Sequence, residues 1–334
     1  MPEAGDVSTL GEMPVPAAGD PTEVARQALI QWSEWAKGAY SANTAAAWAS
    51  DWRGFVEFCA STGASSLPAD PLTVRAYIES RVAQGRRAAT IRRNVSSIAT
   101  AHAAAGLANP CEHQAVRLAL KAMGRALAAP QRQARGLVWE EIARFLDTAG
   151  DSLRAHRERA LLCVGYDAMA RREELVAINV EDLSWEADGS GRVVIRRSKT
   201  DPEGEGSVAY LAPLTAGCVR TWLDQSGIQS GALFRRIIGR GEIGARLGAD
   251  SITDILKRVA EWIKLPWESI DTTSGHSLRI GATQDLLSLN EELPAIMQSA
   301  RWKDPRMVQR YGKQLLAGRG AMARAAAVQG RIIP

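Results

Sequence analysis

Apolar residues recur at helical spacing through most of this chain, and the places where the pattern stops or changes period divide it. Residues 1–19, MPEAGDVSTLGEMPVPAAG, hold no periodic pattern and are rich in Pro, Gly and Ala, which predicts a disordered tail. The pattern starts at DPTE, where Asp20 suits an N-cap, Pro21 a first helical position and Glu23 the far end of a capping box, with the helix running to about Ala36. Trp48, Trp52, Phe55 and Cys59, spaced by 4, 3 and 4, make the apolar stripe of a second helix. A third begins at Asp70-Pro71 and is expected to bury Val74, Tyr77, Ile78 and Val82. A fourth, over about 89–105, sets Ile91, Val95, Ile98 and His102 on one side and Arg92, Arg93, Ser96 and Ser97 on the other. A fifth spans about 112–128, and nothing before it reads as a strand.

The segment AAPQRQARG (128–136) is polar, basic and broken by proline, and reads as a linker centred on 129–136. Helices follow at about 138–148, 153–168 and 171–178. Then the period changes to two. GRVVIRRSK (191–199) and GSVAYLAPL (206–214) predict short strands around the turn TDPEGEG. Helices resume at about 216–225 and 250–263 and continue to about 330. The expected fold is mainly α, with an all-α domain over 20–128 and an α+β domain over 137–334 holding a small antiparallel sheet. A chain of 334 residues accommodates two domains of ordinary size.

The net charge of +4 is modest, but its distribution is not even. Residues 81–136 carry ten Lys or Arg against the single acid Glu112, a one-signed block that suits a polyanion through phosphate neutralisation, or else a solvated basic face. The four cysteines, Cys59, Cys111, Cys163 and Cys218, form no CxxC pair, so neither a disulfide framework nor a zinc site is expected and a reducing cytoplasm fits. No apolar run reaches the ~18 residues a membrane span needs, and the N-terminus lacks a secretory pattern.

Several groupings could carry chemistry. GHSLRIGA places His276 and Arg279 three apart on one helix face, where an arginine clamp beside a donor suits a phosphate; a structural pair is the other reading. In ARREEL, Arg171 and Glu174 share a face, so the carboxylate either aims the guanidinium or makes a surface pair, while Arg172 is turned about 100° away. Lys199 sits where a strand enters the flexible turn, either solvated or placed to reach into a DNA groove. SARWKDPRMVQRYGKQ (299–314) holds Tyr311 between Arg310 and Lys313, nine residues after Trp302. It is either a partly buried tyrosine at a helix end or a nucleophile beside a phosphate site.

Taken in order, Arg171, Lys199, His276, Arg279, Trp302 and Tyr311 resemble the tyrosine recombinase (phage integrase) family. SGHSLRIGA, the following IMQ, the Trp-to-Tyr spacing of nine and GAMAR (320–324) carry the likeness, and VRAYIESRVAQGRRAATI extends it through the N-terminal domain. The resemblance implies that 20–128 is a DNA core-binding domain and 137–334 a catalytic domain. It implies that Tyr311 attacks the scissile phosphate to form a 3′-phosphotyrosyl link. Arg171 and Arg279 would clamp the non-bridging oxygens, His276 and Trp302 complete the pocket, Lys199 protonate the leaving 5′-oxygen, and Glu174 orient the site. No metal or other cofactor is implied, since fixed cations can stabilise the charge of in-line attack. Most of the family has histidine where this chain has Trp302; indole N–H donates a hydrogen bond but shuttles no proton.

The resemblance further implies a double-stranded DNA target, a homotetramer on two short inverted-repeat sites assembled through a C-terminal helix, a monomer or weak oligomer without DNA, no membrane, and a cytoplasmic location. Candidate DNA contacts are Thr44 on the second helix, Arg86, Arg87, Arg92, Arg93 and Ser96 around the fourth, and Arg132 and Arg135 in the linker. Two other readings stay open: a type IB topoisomerase-like monomer with the same chemistry, for which the tail would be dispensable, and a non-catalytic DNA-binding regulator.

Overall fold

The computed structural model describes residues 22–128, 133–196, 206–239, 241–318 and 320–331. The expected tail over 1–19, the cap at Asp20-Pro21, and the candidates Arg132 and Lys199 lie outside them. The chain splits into two compact units, Met1–Gln131 and Arg132–Pro334.

The first unit is helical: α1 (Thr22–Trp35), α2 (Ala42–Thr62), α3 (Pro71–Ala83), α4 (Ala88–Ala104) and α5 (Gln114–Ala126). The predicted fifth helix begins only at 114, because Pro110–Glu112 form a 3-10 turn before it and the His113 ring then accepts from the Ala115 amide to start α5. Phe55, Cys59, Val74, Tyr77, Ile78, Ile91 and Ile98 meet in one core, as their periodicity predicts. His102 is buried with them. Its Nδ1 faces the Ile98 carbonyl at 2.8 Å and its Nε2 accepts from the Ala69 amide at 2.9 Å, which fixes a neutral tautomer. Burial also pushes its pKa down. The expectation that Ser97 faces outward with Arg92 is corrected. Ser97 is 3% exposed and donates to Asp51 at 3.1 Å, because a buried carboxylate on α2 needs donors from α4.

The second unit opens with α6 (Trp139–Thr148), α7 (Leu153–Asp167) and α8 (Arg172–Ala177). Helix α7 is buried on almost every side and forms the axis of the unit. Strands β1 (Leu183–Trp185), β2 (Gly191–Ile195) and β3 (Ser207–Leu211) form an antiparallel sheet in that order, with Val193 opposite Ala209. The strand expected to reach 214 stops at Leu211, since Pro213 opens α9 (Pro213–Ser226) and Asp167 caps it by accepting from the Ala212 amide. A second hairpin, β4 (Arg235–Ile238) with β5 (Glu242–Arg246), was not expected. Then come α10 (Ala249–Trp262), α11 (Trp267–Thr272), α12 (Ser277–Ser288), α13 (Leu293–Ala300), α14 (Arg306–Tyr311), α15 (Lys313–Gly318) and α16 (Ala321–Val328).

The later part of the expected linker is not free. The Arg135 amide donates to Thr272 and the Leu137 amide to Ser277, so the segment lies along α12. A Cβ at Gly281 would stand 1.9 Å from the Leu137 carbonyl oxygen, a contact only glycine permits. Gly281→Ala is therefore expected to cost about 2–4 kcal/mol, read as a lowered denaturant midpoint; an unchanged midpoint would show that the segment moves aside freely.

Candidate active site

Arg171 stands at the N-cap of α8, and Glu174 lies one turn on. The buried Glu174 carboxylate accepts from the Arg171 amide at 3.0 Å, from Arg171 Nη1 at 2.5 Å and from Arg301 Nη2 at 2.9 Å. Burial opposes its ionisation, but the Arg171 amide and the charges of Arg301 and Arg171 outweigh it and hold its pKa below the usual range. The i,i+3 pair is thus an internal support for Arg171, not a surface bridge. Arg172 does point elsewhere, to Glu173 at 2.8 Å and Asp250 at 3.0 Å.

Arg279, on α12, is 2% exposed. Its Nη1 donates to the Met169 carbonyl at 2.6 Å and its Nη2 to the Ala300 carbonyl. Met169 has a φ of 44°, a left-handed conformation unusual for a non-glycine residue. Its carbonyl also accepts from Arg301 Nη2 at 3.3 Å. Burial, followed by the like charges of Arg171 and Arg301, pushes the Arg279 guanidinium down to about 9. Two guanidiniums thus bind one carboxylate while a third, Arg279, feels it only through space, and the residual positive charge makes the place ready for an anion.

The indole of Trp302 lies over Arg279, 4.8 Å from Cζ to the ring centre, and the Tyr311 ring lies 5.6 Å beyond it at 49°. Tyr311 ends α14, where its carbonyl takes a hydrogen bond from Gln284 at 3.4 Å. The next residue must be small, since a Cβ at Gly312 would fall 2.3 Å from a Leu287 methyl. Burial raises the Tyr311 phenol, while Arg279, Arg310 and Arg171 draw it back. Its resting form is the neutral phenol, half-buried beside the guanidiniums. His276 stands at the N-cap position of α12, makes no side-chain capping bond there, and is exposed. Desolvation and the cations Arg279, Arg172 and Arg171 outweigh Glu173 and push its pKa below the ordinary value. Gly275 before it lies against Arg172, with a Cβ there meeting Arg172 Cδ at 2.8 Å.

The structure therefore gathers Arg171, Glu174, Arg279, Trp302 and Tyr311 around one spot, with His276 in electrostatic reach. Lys199 lies outside the described residues. Sequence reasoning missed Arg301, which shares Glu174 with Arg171 and ties Ala168 at 2.8 Å. Its signal was its place beside Trp302 in the quoted SARW. Among the described residues no group of three or more His, Cys, Asp or Glu could hold a metal ion, and no helix is long and apolar enough to cross a membrane.

In the first unit, Arg86, Arg87, Arg92 and Ser96 are exposed around the start of α4, and Thr44 stands in the first turn of α2, its hydroxyl 2.9 Å from that of Ser41. Arg93 is engaged instead, its Nε and Nη2 donating to Asp51 at 2.8 and 2.9 Å. In the second unit Arg135 is paired with Glu141, at 2.9 Å for its Nη1.

The sequence model of the phage integrase family matches residues 136–316, more than half of the chain. This chain belongs to the phage integrase family. An integrase/recombinase XerD homolog of Selenomonas ruminantium is 31% identical over 283 residues, covering 81% of this chain and 82% of that one. The recombinase Cre of Escherichia phage P1 is 26% identical over 331 residues, 94% of this chain and 95% of that one. Among solved structures, XerH site-specific recombinase bound to palindromic difH substrate in a post-cleavage complex superposes with a TM-score of 0.63 at 12% identity, over 95% of this chain and 96% of that one. That likeness is one of fold. Family membership makes the chain a tyrosine site-specific recombinase by class, as the order of its motifs implied.

Proposed function

We propose that the chain cuts and rejoins DNA through a 3′-phosphotyrosyl link to Tyr311, working in the cytoplasm as a homotetramer on two short inverted-repeat sites and as a monomer or weak oligomer without DNA. The observation that carries this reading is the arrangement of Tyr311 against Trp302 over the immobile Arg279, with Arg171 beside them and too few carboxylates to neutralise the group. Such a site gains most from a ligand that brings negative charge in a fixed place, as a phosphodiester does. Arg171 and Arg279 hold the non-bridging oxygens, and Trp302 Nε1 and His276 donate to the same group. Glu174 keeps Arg171 in position. Tyr311 Oη gives up its proton to solvent and bonds to phosphorus as the bond to the 5′-oxygen breaks, and Lys199 supplies the proton that makes the 5′-hydroxyl. Attack of a 5′-hydroxyl on the phosphotyrosyl link reverses the step and reseals the strand without an external energy source.

Incubating the protein with nicked suicide DNA should give an SDS-resistant complex whose adduct maps to Tyr311, and excess EDTA should leave its yield within about twofold, because side-chain cations do the electrostatic work. An adduct elsewhere, or a loss of about tenfold on chelation, would count against the mechanism.

The tetramer is supported by α16. It buries none of its residues, and Met322 and Val328 are 72% and 89% exposed, so among the described residues these two apolar side chains stay largely uncovered. A head-to-tail contact with a neighbouring protomer would cover them and close a ring. The palindromic substrate of XerH favours two-fold target sites. Removing residues 319–334 should leave half-site binding within about threefold and abolish two-site recombination. Recombination at the full rate would show that α16 is not an assembly element.

A further inference from the structure

Away from the candidate active site, α7, β4 and α10 border an open pocket of about 370 Å³ lined by Arg154, Arg157, Arg236 and Arg258. Asp254 is the acidic residue in its lining. Arg157 is 5% exposed. It donates from Nη1 to the Arg235 carbonyl at 3.2 Å and from Nη2 to Glu158 at 3.4 Å, while its buried Nε has no partner. Glu158 is already shared, accepting from Arg258 at 3.1 Å. Four guanidiniums thus face two carboxylates, and one buried donor is left unmet.

Local rules argue against this grouping unless it serves a ligand. Arg154 and Arg157 lie within the first five residues of α7, where the helix dipole disfavours cations. Burial, reinforced by Arg154 and Arg258 and only partly opposed by Glu158, pushes the Arg157 guanidinium below its ordinary range. An isolated buried donor carries a desolvation penalty that an anion would remove. Planar forks arranged around a small pocket match the oxygens of a phosphate.

We propose that Arg154, Arg157, Arg236 and Arg258 form a second anion site that grips a backbone phosphate of the DNA target, distinct from the phosphate attacked by Tyr311. The inference rests on the recombinase reading. Helix α10 ties the two places together: Asp250 in its first turn holds Arg172, the neighbour of Arg171, while Asp254 and Arg258 line the pocket.

The test uses the full chain and the double variant Arg154→Gln/Arg236→Gln, both changes being at exposed side chains. Binding to a half-site duplex is measured across salt concentrations, and again with duplexes in which one phosphate at a time is a neutral methylphosphonate. The variant should bind about tenfold more weakly at moderate salt, with the slope of log K against log salt reduced by about 1. One methylphosphonate outside the cleavage position should weaken the wild type by a similar factor and the variant no further. An unchanged slope with a flat methylphosphonate scan, in a protein that still binds and captures DNA covalently, would overturn this site alone. Inorganic phosphate titrated without DNA is the other arm. If it raises the thermal midpoint of the wild type but not of the variant while the DNA slopes agree, the pocket takes a free anion and the assignment to DNA is overturned. If neither protein binds any duplex, the recombinase reading fails and this site with it.

Discussion

Tyr311→Phe is expected to bind DNA and to form no covalent complex with it. The substitution removes one oxygen from a ring whose place is set by Trp302 and by the close packing of Gly312 on Leu287, so folding and duplex affinity should stay within about twofold. Cleavage should fall on the order of 10⁴-fold or more, since the phenyl ring has no oxygen with which to attack phosphorus. Because burial keeps the phenol protonated near neutrality, single-turnover cleavage by the wild type should also rise with pH until another group begins to titrate. An SDS-resistant adduct in the Phe variant would remove Tyr311 from the chemistry, whatever the merits of the rest of the site.

Glu174→Gln is expected to harm both the fold and the reaction. The amide has the shape of the carboxylate but not its charge, and its NH₂ would face one of the guanidiniums now held at 2.5 and 2.9 Å. Leaving Arg171 and Arg301 buried without their anion should cost about 3 kcal/mol, and the looser Arg171 should slow cleavage by roughly 10²–10³-fold. Bound DNA returns negative charge to the place, so the variant should gain more thermal stability from duplex than the wild type does. Equal gains with unimpaired cleavage would reduce Glu174 to a packing residue.

Much of this was legible in the chain because periodicity reports burial. The stripe from Trp48 to Cys59 and the row Ile91, Val95, Ile98 and His102 all became core or its margin. The motif order led directly to Arg171, Arg279, Trp302 and Tyr311. What escaped was set by contacts between segments distant in sequence. Ser97 looks polar and outward until Asp51, 46 positions earlier, is seen to need it. Arg301 was not singled out, since its role depends on Glu174, 127 positions away. The hairpin of β4 and β5 reads RRIIGRGEIGAR, whose alternation is weak because it is only half covered. Gly281 gives no local sign that a carbonyl will press against it.

The hold on Arg279 has a consequence for how this protein can change over generations. Its guanidinium is fastened to the carbonyls of Met169 and Ala300, and every amino acid presents a carbonyl. Side-chain turnover at those two positions therefore does not remove the acceptors, so long as the chain keeps its path: a residue tolerant of a left-handed turn at 169, a small one at the fully buried 300. The central cation is insulated from most single substitutions around it. Arg171 is not, because its anchor is one carboxylate that a single codon change can delete. Drift should accordingly accumulate around Arg279 at little cost and be punished at Glu174, so that two clamps of the same chemical type evolve under different constraint.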